Sequence, residues 1–136
     1  MATKRGNVTT CGRVQAKNRL DVAKQYQTLA HLKSDEDIGA ARNAAAGNAV
    51  LAGIAAADAI CCLRLGERSS SSDHSGAISL LAKVDKKLAQ HLATLIGDKS
   101  TSHYGDTFIG IESLKGCLRA MDHLVQAAME DQGLTG

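Results

Sequence analysis

Apolar residues recur at helical spacing through most of the chain and predict four helices. In the first, from Gly12 to Leu32, the apolar stripe is Val22, Tyr26, Leu29 and Ala30. The second extends to Leu63 or Leu65, and the third runs from Asp73 to Ile96. The fourth has the most regular stripe, in alternating steps of three and four residues that place its members on one helix face: Ile111, Leu114, Leu118, Met121, Val125 and Ala128.

Residues between these stretches carry signals for helix ends. Ser34 precedes three acidic residues, which suit the positive end of a helix dipole. Gly66 is a typical helix terminator, and the serine run 69–72 interrupts the pattern before Asp73, which can cap the third helix. Four amphipathic helices with short connections predict an all-α fold, an antiparallel up-and-down four-helix bundle.

Length and composition agree with this fold class. The 136 residues suit a single domain, 1–136, with its own core, and the absence of proline suits long helices. Residues 1–11 are expected to form a basic, flexible segment, and residues 133–136 a frayed tail.

The four cysteines do not form a recognisable metal or disulfide framework. Cys61 and Cys62 are adjacent within a predicted helix and therefore point in different directions. Cys11 and Cys117 are distant, and no CxxC spacing occurs. We expect all four to act as small hydrophobic residues in a reducing compartment.

Charge is distributed unevenly along the chain. The total is +2, but residues 1–33 carry seven basic residues and one acidic residue, a local balance of +6. A solvated tail and polar helix face explain this pattern, and so does an electrostatic surface for nucleic acid or an acidic partner. The few aromatic residues make base stacking an improbable mode of recognition.

The N-terminus lacks the apolar run of a secretory signal. The stretch Asn43–Leu63 is rich in alanine and glycine, but Asn43, Asn48 and Asp58 interrupt it, so it is too weakly hydrophobic for a persuasive membrane span. We expect those three polar residues to form a solvent-facing stripe, with a ligand cavity or dimer interface as the alternatives. The expected location is cytoplasmic, without a membrane partner.

Arg68 and His74 lie on either side of the serine run and are the leading candidates for chemistry. An arginine neutralises phosphate charge, and a histidine transfers protons near neutral pH. The alternative is a loop arginine and a helix-start histidine beside Asp73 without catalytic roles. No His, Asp or Glu cluster has metal-ligand spacing, so neither a metal nor another cofactor is expected.

The order of these motifs resembles the HEPN superfamily of helical nucleotide- and RNA-associated domains over roughly Val14 to Asp131. AARNAAAGNAVLAGIAAADAICCLRLG resembles the long second helix of the family, and SSSSDHSGAISLL its turn into the third. The stretch DKSTSHYGDTFIGIESLKGCLRAMDHLVQAAMED resembles the turn from a basic residue to tyrosine and the closing helix.

The resemblance implies a homodimer that cleaves RNA without a metal, in RNA-linked defence or toxin–antitoxin systems with an antitoxin partner. The family's nucleases use an Arg-x4-6-His arrangement, which Arg68-x5-His74 satisfies. By resemblance, Arg68 holds the scissile phosphate, and His74 acts as acid or base or orients the ribose hydroxyl.

In catalytic relatives this motif commonly lies near the last helix, whereas the corresponding turn here offers Lys99, His103 and Tyr104 as reserve site residues. That turn resembles the HEPN subset with a basic-x4-Tyr motif. It therefore implies the alternative function, a non-catalytic module that binds a nucleotide or assembles with a nucleotidyltransferase-like partner.

Overall fold

A computed structural model describes residues 4–5, 8–70, 74–97 and 106–133. These residues are mostly helical and include a small antiparallel sheet. The strands are β1 (Lys4–Arg5), β2 (Val8–Thr10) and β3 (Glu67–Ser69). The helices are α1 (Arg13–Ser34), α2 (Gly39–Leu65), α3 (His74–Ala82), α4 (Lys86–Gly97) and α5 (Ile111–Asp131).

Helix α2 is the centre of the fold and contacts each of the other four helices. Its alanines and glycines let these neighbours approach closely; Gly53, for example, faces Leu95 of α4 and Leu124 of α5. Within the described ranges, it alone is long and apolar enough to cross a membrane by length and composition. However, 78% of its most apolar window is buried inside the fold, as in a core helix.

Helices α1 and α5 bury one face each. In α5, the predicted stripe is confirmed for Leu114, Met121, Val125 and Ala128, which are buried, whereas Ile111 is exposed. In α1, the predicted stripe is largely wrong, because Val22 and Leu29 are exposed and Tyr26 is only partly buried. The buried residues of α1 are Ala16, Leu20, Ala23 and Ala30, of which only Ala30 belongs to the predicted stripe.

The predicted third helix is two helices. A turn at residues 83–85 ends α3 and begins α4. Oδ1 of Asp85 accepts hydrogen bonds from the backbone N–H groups of Lys87 (2.8 Å) and Leu88 (3.0 Å). This side chain satisfies amides that have no partner within the new helix, so it stabilises a second helix start that apolar spacing does not reveal.

The sheet brings the N-terminal strands next to the segment that follows α2. Strand β2 pairs antiparallel with β1 and with β3, with Thr9 opposite Arg68. Gly66 ends α2 as predicted, in the left-handed conformation (φ 72°), and leads directly into β3. The sequence pattern did not predict these strands, which lie in the expected flexible segment and at the edge of the serine run.

A disulfide bond joins Cys11, directly after β2, to Cys62 in the last turn of α2. The prediction that all four cysteines are simple hydrophobic residues is therefore wrong for this pair. Cys61 and Cys117 are buried and are not members of the disulfide bond. Because adjacent helical residues point in different directions, Cys62 meets Cys11 while Cys61 does not.

Candidate functional site

Arg68 and His74 line the same cavity, which has a volume of about 410 Å³. Arg19 and Asp58 line it as well, and its apolar wall consists of Val50, Leu51 and Ile54. The structure therefore brings the two leading sequence candidates together and adds an arginine and a carboxylate that sequence reasoning did not assign to the site.

Four elements supply the cavity. Helix α2 contributes the apolar wall and Asp58, which follow one another at helical spacing along one face. Helix α1 contributes Arg19, β3 contributes Arg68 at its central position, and α3 begins with His74. Gly66 reverses the direction of the chain at the C-terminal end of α2. Arg68 in β3 therefore lies near the part of α2 that carries Asp58.

An ion pair between Arg19 and Asp58 forms one side of the cavity. Nη2 and Nε of Arg19 lie 3.1 Å and 3.2 Å from the same oxygen, Oδ2 of Asp58. Asp58 is only 6% exposed, so the prediction that it belongs to a solvent-facing stripe is wrong. A carboxylate at such a position needs a partner, since burying an unpaired charge is costly.

Burial raises the pKa of the Asp58 carboxyl, while the positive charges of Arg19 and Arg68 and the hydrogen bond from Arg19 act against this rise. Arg68 is thus close enough to influence the carboxyl electrostatically.

The remaining polar groups face the same space. Arg68 is half-buried, and its Nη1 donates a 3.3 Å hydrogen bond to the carbonyl oxygen of Ser69. His74 is also half-buried. Two guanidinium groups and an imidazole against one carboxylate suit an anion such as a phosphate, and the apolar wall suits the sugar or base beside it.

The reserve candidates Lys99, His103 and Tyr104 lie outside the described residues, as does Asp73. Within the part of the chain that the structure describes, no group of three or more His, Cys, Asp or Glu side chains could hold a metal ion.

Asn43 and Arg42 anchor the segment that precedes α5. Oδ1 of Asn43 accepts a hydrogen bond from the N–H of Ile109 (2.8 Å), and its Nδ2 donates to the carbonyl of Thr107 (3.2 Å). Nε of Arg42 donates to the carbonyl of Ile109 (3.0 Å). Asn43 is partly exposed, and its side chain holds the backbone of this segment in place.

A second polar cavity, of about 450 Å³, lies between α1 and α5. Asp122 accepts hydrogen bonds there from Nε2 of His31 (2.9 Å) and Nε2 of Gln27 (2.9 Å). His123 also lines this cavity, and its ring stacks on that of His91 with centroids 4.6 Å apart. These contacts tie α5 to α1 and α4, and sequence spacing carried no signal for them.

The chain matches no model of a known protein family and no curated protein.

Proposed function

We propose that the protein is a HEPN-like, metal-independent endoribonuclease of RNA-linked defence or toxin–antitoxin type. The observation that carries the proposal is that Arg68 and His74, six residues apart in the chain, line one cavity. The proposal includes an up-and-down four-helix bundle of HEPN type, in which α3 and α4 together occupy the place of one helix. It also includes a single domain and a cytoplasmic location.

The cavity residues suit cleavage by the neighbouring ribose hydroxyl. Arg68 holds the scissile phosphate and neutralises charge that develops on it. His74 takes the proton of the 2′-hydroxyl as its oxygen attacks phosphorus, or donates a proton to the departing 5′-oxygen. The phosphorus–5′-oxygen bond breaks, and the products are a 2′,3′-cyclic phosphate and a 5′-hydroxyl.

Arg19 and Asp58 act as positioning residues in this scheme. Because Arg19 is already paired with Asp58, its charge is partly balanced, and Arg68 is the principal phosphate ligand. The buried carboxyl attracts Arg68 across the cavity and so restricts where its guanidinium group lies.

The proposed assembly is a homodimer. Leu51 of the cavity wall is exposed, as are Val22 and Leu29 on the outer face of α1. A second copy packed over such exposed apolar residues, Leu51 among them, would cover apolar surface and bring two cavities near one RNA backbone. Light scattering on the purified chain is expected to give twice the monomer mass.

Cleavage of RNA in the presence of a chelator tests the proposal. His74→Ala is expected to lower the cleavage rate by about 10²–10⁴-fold, the usual contribution of a positioned acid or base. Arg68→Ala is expected to lower it by about 10²–10³-fold, the usual effect of removing a donor that stabilises developing charge. Arg68→Lys should recover only part of the rate, since lysine lacks the planar fork of arginine.

Arg64→Ala and His31→Ala are the matched controls. Both residues lie outside the cavity, where Arg64 pairs with Asp131 and His31 with Asp122, and both variants should cleave within about twofold of the wild-type rate. Circular dichroism verifies that each variant is folded. Wild-type cleavage by folded Arg68→Ala and His74→Ala would refute the assignment of the site.

A second candidate function is a non-catalytic module that binds a nucleotide or assembles with a nucleotidyltransferase-like partner. The apolar wall beside the cationic residues favours it, because such a cavity accepts one base and its phosphate as readily as an RNA chain. It predicts nucleotide binding that Arg68→Ala abolishes in calorimetry, together with no cleavage of varied RNA substrates.

A further inference from the structure

The disulfide bond lies next to the strand that carries Arg68. Cys11 follows β2 directly, and its backbone N–H donates a 3.0 Å hydrogen bond to the carbonyl of Gly66, the residue before β3. Its partner Cys62 is four residues before Gly66, with the two cysteine Cα atoms 5.2 Å apart. The disulfide bond therefore fixes the end of β2 next to the start of β3, the strand that carries Arg68.

Among the described residues, the strand pairing that holds β2 in place is short. Strand β2 has three residues, and its neighbour β1 has two. Val8 packs partly against the core, whereas Thr10 is exposed. Strand pairs this short are marginal on their own. The covalent bond is thus the principal tether that keeps Thr9 beside Arg68.

Cys61 cannot readily replace either member of the pair. It is 3% exposed, and burial, together with the charges of Asp58 and Glu67, raises the pKa of its thiol to about 12. Thiol–disulfide exchange requires a thiolate, so Cys61 stays inert at neutral pH. A redox reaction in this region is therefore confined to Cys11 and Cys62.

We propose that Cys11 and Cys62 form a reversible redox switch that controls the Arg68–His74 cavity. In the disulfide form, β2 is held against β3 and fixes Arg68. Reduction releases β2 and thereby loosens β3, the strand that carries Arg68. This inference rests on the proposed function for its effect on activity. It agrees with the proposed cytoplasmic location, because cytosolic disulfides are usually transient and redox-sensing.

The reaction is a two-electron exchange with a dithiol. A thiolate of the dithiol attacks the sulfur of Cys11, which is half-buried, whereas Cys62 is only 2% exposed. The Cys11–Cys62 bond breaks, Cys62 leaves as a thiolate and takes up a proton, and a mixed disulfide forms on Cys11. The second thiol of the reductant then displaces the Cys11 sulfur. Two electrons and two protons reach the protein, the sulfur–sulfur bond becomes two thiols, and the dithiol becomes a disulfide.

Hydrogen–deuterium exchange on the full chain, before and after treatment with dithiothreitol, tests the switch. Backbone amides of residues 67–69 are expected to exchange at least about tenfold faster after reduction, because the strand then opens locally. RNA cleavage should fall in parallel, and reoxidation should restore both. In cells treated with the thiol oxidant diamide, alkylation of free thiols should show a larger fraction of the disulfide form than in untreated cells.

Two variants control the measurement. Cys11→Ser combined with Cys62→Ser should behave like the reduced protein with or without dithiothreitol. Cys61→Ala should show the same increase in exchange at residues 67–69 and the same loss of cleavage on reduction as the wild-type protein.

Unchanged exchange at residues 67–69 on reduction would overturn the switch, and so would faster exchange with undiminished cleavage. A disulfide fraction in cells that does not respond to the oxidant would also overturn it. Faster exchange with no cleavage by either form would refute the proposed ribonuclease and leave the structural switch standing.

Discussion

Reduction of the disulfide should lower the free energy of unfolding by about 4 kcal/mol. The cross-link joins residues 51 apart in the chain, so in the unfolded protein it closes a large loop. In the chain-entropy model, a loop of this size costs the unfolded chain about 14 cal/mol/K, equivalent to about 4 kcal/mol at 25 °C. Opening the bond returns that entropy to the unfolded state and thereby favours it.

Urea unfolding, followed by the helical circular dichroism signal, measures this change. With a denaturant slope of about 1–3 kcal/mol/M for a protein of this size, the midpoint should fall by about 1–4 M when dithiothreitol is added. A variant with Cys11→Ala and Cys62→Ala should unfold at the same midpoint in both conditions. A loss of less than about 1 kcal/mol in the wild-type protein would contradict this expectation, because a covalent loop of this length would then impose no appreciable constraint on the unfolded chain.

Three further predictions concern packing and titration. Gly116→Ala should stabilise the protein by about 0.5–1 kcal/mol through helix propensity, since the nearest atom to the new methyl group is Nη2 of Arg119 at 3.9 Å. Gly53→Ala adds the same propensity but drives its methyl group into the buried Leu95 side chain. In urea unfolding it should therefore be about 1–3 kcal/mol less stable than Gly116→Ala, and equal stabilities would contradict this packing. Burial raises the pKa of Asp58 above its ordinary 3.8, so the native state binds this proton more readily than the unfolded chain. The free energy of unfolding of the wild-type protein should thus fall relative to that of Asp58→Asn as pH rises from about 4 through the raised pKa. A difference between the two proteins that stays constant across this pH range would contradict the raised pKa. Burial and the neighbouring His123 lower the pKa of His91 below 6.5, against the opposing charge of Asp85. The free energy of unfolding should therefore decrease as pH falls below about 6.5, and it should decrease less in His91→Gln. Identical pH profiles of stability for the two proteins would contradict the lowered pKa of His91.

Local signals were sufficient for most helix positions. Gly66 was recognised as the end of α2 because only glycine readily adopts the left-handed conformation found there. The stripe of α5 was recognised because its apolar residues dominate one face. The break between α3 and α4 was missed, since apolar residues continue across it and the cap is a single side chain, Asp85.

The buried face of α1 could not be chosen from its own residues. Its larger apolar side chains, Val22 and Leu29, are exposed, while Ala16 and Ala23 are buried. The neighbouring helix α2 is built largely from alanine and glycine, and small residues on both sides let the two helices approach closely. Which face of α1 is buried thus depends on the partner helix.

The helical class of the protein and the candidates Arg68 and His74 can be predicted from the amino-acid sequence, because periodicity and short motifs depend on neighbours a few residues away. The pairing of Arg19 with Asp58, 39 residues later, and the bond between Cys11 and Cys62 are visible only in the folded chain. Both pairs form because α1 and the end of β2 lie next to the C-terminal half of α2. Contacts between residues so far apart form only when packing and strand pairing bring their elements together, and no local pattern in the chain specifies them.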